Sequence, residues 1–256
     1  MEIPAEVRSK AEVWLEGKFD EDTKSQVKYL MKNDPEELVD AFYKDLEFGT
    51  GGLRGIMGVG TNRMNIYTVG MATQGLCNYL KMNFADKDQI KVAIAHDCRN
   101  NSRLFAETAA KIFSANGVKV YLFDDLRPTP ELSFAIRHFG CQAGVNITAS
   151  HNPKEYNGYK AYWEDGAQLV PPHDKNVVNA ARAITDVSEV QFDGSWDNIE
   201  IVDKSFDKTY LEQLQKLTVS PQAVKRNPDI PIVFTPIHGT AVRLVPDALK
   251  SIGFTN

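Results

Sequence analysis

The chain has 256 residues, of which 43% are hydrophobic and 25% are charged. This composition is typical of a globular protein with ample material for a core, arranged in one or two domains. The net charge of −5 argues against a general nucleic-acid binder, and no run approaches the roughly 18 apolar residues of a membrane span.

Three cysteines, Cys77, Cys98 and Cys141, are widely spaced and form no C-x-x-C pair. Cys98 and Cys141 lie in or beside apolar strand-like runs, where a reduced and buried thiol is expected. The first residues, MEIPAEVRSKAEVWLEGKF, include acidic side chains and lack the apolar stretch of a signal peptide. These features predict a cytoplasmic protein with no membrane partner.

The N-terminal part of the chain is predicted to be helical. In AEVRSKAEVWLEG, apolar residues recur among charged ones at helical spacing. Asp22 or Thr23 is expected to cap a second helix, and Asn33 or Asp34 a third. Pro35 then occupies the first turn of the third helix, where its missing N–H leaves no hydrogen bond unmade.

The segment EFGTGGLRGIMGVG places six glycines within residues 49–60. A flexible surface loop is one interpretation. A ligand-binding segment is the other, because glycines let backbone N–H groups approach a ligand closely. Arg54 lies among them, and an arginine in this setting suits two-point binding of phosphate or carboxylate. Neither a P-loop nor a dinucleotide fingerprint fits, since G-K-[ST] is missing and no strand is predicted before GTGGLRG.

After a predicted helix at residues 67–84, strands and helices alternate. Continuous apolar runs predict strands in IKVAIAHD, VKVYLF and CQAGVNITA. Helices are predicted at residues 102–117 and 130–139, the first capped by Asn101 or Ser102. The β-α-β-α-β order indicates a three-layer α/β/α domain with a mostly parallel, mixed sheet. Ligand sites in such sheets lie where strands end. The polar residues at these ends are His96–Asp97, Asp124–Asp125 and Thr148–His151.

In the remaining chain, GYKAYW and AQLV are predicted to form a hairpin across Glu164–Asp165–Gly166. A helix follows at about residues 172–184, then a polar connector at residues 186–204 and a helix at residues 206–217. PIVFTPIHGT and VRLVPDALKSIGF repeat the strand–turn–helix pattern, which predicts the start of a second, similar α/β domain. The predicted domains are residues 1–204 and residues 205–256.

The stretch NITASHNPK places polar side chains directly after a predicted strand. Ser150 and His151 are adjacent, and Asn152–Pro153 favours a tight turn that holds the serine exposed. A plain turn, a hydrolase nucleophile and a phosphoryl carrier all fit these residue types. Adjacent side chains often point apart and no G-x-S-x-G elbow surrounds the serine, so the hydrolase is the weaker enzyme interpretation. Lys160 and Arg54 would complete a basic pocket around the hydroxyl, which suits a phosphoserine.

Asp97 and Arg99 lie at a predicted strand end, before a predicted helix. They form either a structural ion pair or part of the frame that shapes a site, and both interpretations stay open. Ser102 is expected to act as a cap rather than a nucleophile, and His96 to be buried and hydrogen-bonded. Two other histidines are expected on helix surfaces: His138 and His173.

Four motifs resemble those of the α-D-phosphohexomutase superfamily, the phosphoglucomutases and phosphomannomutases. TASHNPKEYNGYK resembles the family's phosphoserine loop, and FGTGGLRG at residues 48–55 is similar to its FGTxGxRG segment. HDCRNNS is similar to [YH]-D-x-R-x-x-S, and TPIHGT at residues 235–240 to the T-P-x-H-G stretch that opens the second domain. The helical N-terminus and GYKAYW are closer to the phosphoglucomutase/phosphopentomutase branch. The loop positions that match are Thr148, Ser150, His151, Asn152, Pro153, Asn157, Gly158, Tyr159 and Lys160.

The resemblance implies an intramolecular phosphotransferase that interconverts hexose 1-phosphate and 6-phosphate, with glucose favoured over mannose or pentose. Phosphorylated Ser150 gives its phosphoryl group to the sugar phosphate, and the other phosphate of the bisphosphorylated sugar then returns to the serine. Such in-line transfer needs positioning and charge neutralisation more than covalent help. Arg54 is implied in phosphate contact, and His151 and Lys160 in proton handling or charge stabilisation. The residues implied in substrate or phosphate binding are Arg54, Asn152, Lys160 and His238.

The resemblance also implies Mg²⁺, held by an oxygen of the Ser150 phosphate and three aspartates of a D-G-D-x-D-R loop, and an activator of the glucose 1,6-bisphosphate type. That loop does not occur in this sequence. We therefore expect the N-terminal portion of a longer mutase, inactive alone, whose partners are a phosphosugar and the enzyme's remaining domains. The alternative is a non-catalytic phosphosugar-binding or scaffolding member of the same fold. The intact Ser150, His151, Lys160 and Arg54 disfavour it.

Overall fold

The computed structural model describes residues 2–49 and 52–256. These residues form α-helices, one short 3₁₀ helix at Val187–Glu189, and a single seven-stranded sheet. The helices are α1 (Ala5–Glu16), α2 (Glu21–Asn33), α3 (Pro35–Phe42), α4 (Ile66–Asn83), α5 (Ser102–Ala115), α6 (Thr129–Phe139), α7 (His173–Arg182), α8 (Ser205–Lys216), α9 (Pro221–Arg226) and α10 (Ala241–Ile252). The strands are β1 (Phe48–Gly49), β2 (Gly52–Ile56), β3 (Lys91–His96), β4 (Lys119–Phe123), β5 (Ala143–Ile147), β6 (Tyr156–Trp163) and β7 (Ile199–Val202).

The sheet has the strand order β1-β2-β6-β5-β3-β4-β7 and is mixed. Strands β5, β3, β4 and β7 are parallel to one another, whereas β6 is antiparallel to both β5 and β2. Within the described part, the glycine-rich segment contributes β1 and β2 to the sheet, whereas Gly58 and Gly60 lie in a bend that follows β2. In the β2–β6 register Arg54 lies opposite Gly158 and Gly52 opposite Lys160, which places the two basic residues on one face.

Helices cover both faces of the sheet, as the α/β/α prediction requires. Apolar residues of α4, α5 and α7 pack on one face in the larger core, which includes Leu76, Phe105 and Val177. On the opposite face α6 and α8 contribute a second core that includes Ile136 and Phe206. The predicted three-layer α/β/α fold is confirmed.

The N-terminal helices α1–α3 form a separate apolar layer against the start of α4. Trp14 stacks on Phe19 and meets the edges of Phe42 and Tyr67, whose ring comes from α4. The Tyr67 hydroxyl donates to the Asp20 carboxylate at 2.6 Å, which ties the layer to the sheet domain.

Helix caps agree with the sequence in part. Asp34 caps α3 and Pro35 is its first residue, as predicted. The predicted cap of α2 was wrong: Asp20 accepts the Thr23 N–H at 2.8 Å, because the helix already begins at Glu21. Asn101, one of the two residues predicted to cap α5, occupies the N-cap position, but its side chain makes no capping hydrogen bond. Asn101 is left-handed there (φ 61°), and the Ser102 hydroxyl donates to Asp97 instead.

Two predictions about the C-terminal part were wrong. The segment predicted as a polar connector contains β7, which pairs in parallel with β4. Conversely, residues 230–236 form no strand and no β-pairing within the described chain, and Val233 is 98% exposed. Both errors have one cause, because a strand requires a partner and local sequence does not identify that partner.

The described part of the chain contains no helix long and apolar enough to span a bilayer. All three cysteines are free thiols. Cys141 is buried, and burial raises its thiol pKa to about 12; Cys77 is buried as well, with its pKa raised for the same reason. Cys98 is exposed, so the prediction of a buried thiol was wrong there, because the residue lies past the end of β3 in a surface turn.

Candidate active site

Ser150 lies just beyond the carboxyl end of β5, at the start of residues 149–156, which we call the serine loop. Its side chain is exposed and its backbone is left-handed, with φ of 58°. This conformation costs an L-amino acid roughly 1–2 kcal/mol, so neighbouring contacts must hold it. The Asn152 N–H donates to the Ala149 carbonyl at 3.1 Å, which closes the turn predicted for this position.

Asp97, at the end of β3, is the centre of a hydrogen-bond network beneath the loop. Its Oδ1 accepts the Ser102 hydroxyl at 2.7 Å and the Arg99 backbone N–H at 2.9 Å. Its Oδ2 accepts the Thr148 hydroxyl at 2.7 Å, and Thr148 Oγ1 in turn accepts the Ser150 N–H at 3.0 Å. One carboxylate thus connects β3, the start of α5 and the backbone of the serine.

Arg99 holds the other side of the loop. Its Nη2 donates to the Ser150 and Asn152 carbonyls, both at 2.8 Å. Its Nη1 donates to the Pro153 carbonyl at 2.8 Å and to the Tyr156 carbonyl at 3.1 Å. The side chain is only 11% exposed, and its bonds to the Asn152 and Tyr156 carbonyls are partly buried, whereas those to the Ser150 and Pro153 carbonyls lie at exposed positions. Arg99 Nε also lies 3.2 Å from Asp97 Oδ2, so the two residues form an ion pair and support the serine loop at the same time.

The far end of the loop is fixed by Asn157, which is fully buried. Its amide donates to the Asn100 carbonyl and to the Ser102 hydroxyl, each at 3.0 Å. Gly158 follows with almost no free space, since a Cβ there would lie 2.5 Å from the Thr148 carbonyl oxygen. The asparagine and glycine of the N-G-Y-K motif therefore have structural reasons that do not involve a ligand.

Arg54 and Lys160 line a shared open cleft of about 800 Å³ beside the loop, together with Thr148 and Gln168. Arg54 Nη1 donates to the Asn152 side-chain oxygen at 3.1 Å, which joins the glycine-rich strand to the serine loop. The structure therefore brings together the predicted residues Arg54, Asn152 and Lys160. Ser150 and His151 lie on the loop that leaves the cleft at Thr148.

His151 is adjacent to the serine in space as well as in sequence. Its Nδ1 lies 3.4 Å from Ser150 Oγ, and both side chains are exposed. This separation exceeds the about 2.6–3.2 Å of an activated nucleophile–base pair. Such pairs are often looser without substrate, so the geometry places an imidazole beside the hydroxyl and does not decide between the two kinds of enzyme.

The segment that contains His238 reaches the same edge of the sheet. The Cys98 thiol, between Asp97 and Arg99, donates to the His238 carbonyl at 2.6 Å. The contact is made by the backbone and assigns no role to the imidazole, so the predicted binding role of His238 stays a prediction. Ile237 beside it is left-handed, with φ of 54°.

The other histidines lie away from the serine loop. His96 is buried and its Nδ1 contacts the Asp97 carbonyl at 2.9 Å, as predicted, and burial lowers its pKa. His138 is exposed on α6, also as predicted. His173 was predicted at the surface but is half-buried, because it stacks on Trp163 and contacts the Tyr79 hydroxyl at 2.9 Å.

Among the described residues, no group of three or more His, Cys, Asp or Glu side chains could hold a metal ion. The ligand predicted from this chain is a phosphate oxygen on Ser150. One phosphate oxygen does not make a magnesium site by itself, since Mg²⁺ requires near-octahedral oxygen coordination. The residues present therefore do not fit the ion on their own.

Comparison with known proteins adds a family and a fold. Residues 45–188 match the family described as phosphoglucomutase/phosphomannomutase, alpha/beta/alpha domain I. A phosphopentomutase from Homo sapiens is 38% identical over 254 residues, which cover 93% of this chain and 40% of that protein. A phosphoglucomutase from Staphylococcus haemolyticus is 39% identical over 224 residues, 84% of this chain and 39% of that protein. The chain thus spans about two fifths of the length of these curated relatives.

A solved structure from Thermus thermophilus, provisionally described as a phosphomannomutase, shares the fold with a TM-score of 0.68 and 23% identity. The match covers 82% of this chain and 44% of that structure. Since the identity is low, this likeness supports the fold alone.

Proposed function

Because the chain belongs to the phosphoglucomutase/phosphomannomutase family, we propose that it supplies the phosphoryl-carrying serine of a phosphosugar mutase. Ser150 is the carrier, and the substrate is a hexose 1-phosphate or 6-phosphate, glucose before mannose or pentose. The observation that carries the proposal is the loop geometry. A serine is held left-handed at a strand end, with His151 Nδ1 3.4 Å from its hydroxyl and Arg54 bonded to the same loop.

The proposed transfer is a displacement at phosphorus. The bond between phosphorus and Ser150 Oγ breaks as a sugar hydroxyl oxygen bonds to phosphorus, and the proton of that hydroxyl is transferred to the leaving Oγ by way of His151. His151 holds a proton near Oγ, and Arg54 and Lys160 stabilise the charge that develops on the phosphoryl oxygens. Return of the sugar's other phosphate to Oγ reverses these bond changes. Preorganised charge and position carry the catalysis, because phosphoryl transfer needs little covalent help.

The test is whether a phosphate is transferred to Ser150 in the full-length protein. The protein is incubated with glucose 1,6-bisphosphate and Mg²⁺ and its intact mass is measured. Wild type is expected to gain one phosphate that maps to the Ser150 peptide, and Ser150→Ala none. Failure of wild type to gain the phosphate, or an equal gain by Ser150→Ala, would overturn the proposal.

Binding of glucose 1-phosphate is measured in parallel on both proteins. Binding without any phosphate gain by wild type would favour the non-catalytic, phosphosugar-binding alternative. The matched control is Ser114→Ala, a serine on α5 whose hydroxyl donates to the Ser195 carbonyl at 2.6 Å and which lies outside the loop. It is expected to gain phosphate as wild type does.

We further propose Mg²⁺ and an activator of the glucose 1,6-bisphosphate type as cofactors. The ion would neutralise charge on the phosphoryl group when bound, with Ser150 phosphate as the ligand from this chain. No step above is assigned to it, because the described residues do not complete its coordination. The 256 residues contain no D-G-D-x-D-R stretch, so we propose that they do not turn over glucose 1-phosphate alone. A coupled assay on the purified 256-residue chain tests this, and robust turnover would contradict it.

The domain division and the compartment are also proposals. Residues 205–256 are proposed to begin a second α/β domain. Leu244 from α10 packs on Tyr210 and Leu211 from α8, although α8 also packs on the sheet domain through Phe206. A cytoplasmic location is supported by the three free thiols, which a reducing compartment preserves.

A further inference from the structure

The terminal nitrogens of Arg99 have no donor left for a ligand. A guanidinium carries five N–H groups. The four on its terminal nitrogens are used by four carbonyl oxygens of the serine loop. The fifth, on Nε, faces Asp97 Oδ2 at 3.2 Å. The terminal nitrogens of Arg99 therefore bind the backbone of the serine loop and not a phosphate.

Arg54 provides the contrast. Among the described residues its guanidinium makes one hydrogen bond, to the Asn152 side chain, and its side chain is exposed at the cleft. Most of its N–H groups thus face solvent, where a phosphate can reach them. The two arginines of the site have different tasks, although both are basic residues near the same serine.

Asp97 and Arg99 hold Ser150 from both ends of the residue. Arg99 binds the Ser150 carbonyl at 2.8 Å. Asp97 acts on the Ser150 N–H through the Thr148 hydroxyl, with bonds of 2.7 and 3.0 Å. Fixing both peptide groups of one residue restricts its φ and ψ, and Ser150 has a φ that a serine does not favour.

We propose that Asp97 and Arg99 form a clamp that positions Ser150 Oγ for phosphoryl transfer, an inference that rests on the proposed function of Ser150. Both are positioning residues and neither contacts the sugar phosphate. Lysine cannot replace Arg99, because an ammonium has three donors and lacks the planar fork that reaches four carbonyls. Arg99→Lys keeps the positive charge but removes the planar fork, and it is therefore the informative substitution.

The first measurement is hydrogen exchange of the serine loop, which needs no activity. In Arg99→Lys we expect the amides of Ser150, Asn152 and Tyr156 to exchange at least tenfold faster than in wild type. The matched control is Arg103→Lys, because Arg103 also binds carbonyl oxygens, those of residues 123 and 124, away from the loop. It should leave the loop amides unchanged. Unchanged exchange in Arg99→Lys would overturn the clamp.

The second measurement is the rate of Ser150 phosphorylation as a function of glucose 1,6-bisphosphate concentration, in the protein expressed from its own gene. Arg99→Lys is expected to lower the rate at saturating donor at least tenfold, with the half-saturating concentration within twofold of wild type. Faster exchange with an unchanged rate would overturn the proposal. So would a raised half-saturating concentration at an unchanged maximal rate, since that marks a phosphate ligand.

A second variant covers the case in which Arg99→Lys does not fold. Thr148→Val removes the hydroxyl that joins Asp97 to the Ser150 N–H while keeping the side-chain shape. It is expected to move exchange and rate in the same directions, and wild-type values for both would overturn the clamp. If wild type itself gains no phosphate, the proposed function of Ser150 fails and positioning for transfer fails with it. The exchange data then separately decide whether the loop is clamped.

Discussion

Three non-glycine residues of the described chain are left-handed, Asn101, Ser150 and Ile237, and all three lie in the sequence motifs. Ser150 has φ of 58° in the serine loop, and Ile237 has φ of 54° beside His238. A β-branched residue tolerates this conformation poorly, so Ile237 marks strain more strongly than the serine does. The two segments meet near Cys98, whose thiol donates to the His238 carbonyl. Strain at single residues thus concentrates where the proposed chemistry takes place.

Gly158 offers a prediction about a single residue. A Cβ there would lie 2.5 Å from the Thr148 carbonyl oxygen and 3.0 Å from that of Leu53, and neither backbone atom can move away independently. Gly158→Ala is therefore expected to lower the free energy of unfolding by roughly 1–3 kcal/mol, the usual cost of overpacking. Urea unfolding measures this. Gly49→Ala is the control, because its Cβ would meet nothing closer than 3.8 Å, and an equal loss in both variants would contradict the steric explanation.

Helices and strands could be predicted where the residues of the element itself indicate its type and its burial. The continuous apolar runs of β3, β4 and β5 and the capped start of α3 are specified within a few residues. Strand β7 could not be predicted, because Ile199 and Val202 are buried only through the remote partner β4. Residues 230–236 have a similar apolar pattern but pair with nothing in the described chain.

The site divides in the same way. Ser150, His151 and Lys160 could be singled out from side-chain type and spacing, and their roles stay predictions. The hydrogen bonds from Arg99 to the serine loop could not be predicted, because their acceptors are backbone carbonyls, which every residue carries. Sequence reasoning reached only the alternative that Asp97 and Arg99 shape a site. The sequence signal for this network is the close spacing of Asp97, Arg99 and Ser102 directly after β3.

The contact between α6 and α8 gives a prediction about pH. Glu131 of α6 is fully buried, and burial together with the nearby Asp207 carboxylate of α8 raises its pKa from the ordinary 4.5 to about 8. Arg127 lies 3.9 Å from Glu131 but binds Asp207 at 2.7 Å. The folded state thus holds a proton that the unfolded chain releases at lower pH. The contribution of Glu131 to stability is greatest below about pH 4.5 and falls until about pH 8.

Glu131→Gln removes this titrating proton and tests the assignment. As pH rises from 5 to 8, the free energy of unfolding of the variant is expected to increase relative to that of wild type. The increase is up to about 1.4 kcal/mol for each pH unit below the raised pKa of Glu131. Chemical unfolding across that range measures the difference. Glu107→Gln, at an outward-facing ion pair with Arg103, is the control and should run parallel to wild type. A constant difference between Glu131→Gln and wild type across the range would contradict the raised pKa.

Across the whole molecule, stability is distributed unevenly. Residues of the sheet and its two helical layers supply the fully buried side chains, and the N-terminal layer adds Trp14 and Phe42. Beyond α8 burial is sparse, with Leu244 the main buried side chain of α10. Segments with few apolar contacts and unpaired backbone open at lower free energy than the core does.

This gradient predicts where the 256-residue chain is first cut by a protease. Thermolysin, which cleaves before large apolar residues, is expected to cut first within residues 230–237, where Val233 is 98% and Ile237 77% exposed. The resulting large fragment should then resist further digestion, as judged by intact mass over time. Strand β7 is an internal control, because its sequence IEIV offers the same kinds of side chain but is paired with β4. If thermolysin cuts within β7 before it cuts within residues 230–237, strand pairing does not determine which segment opens first.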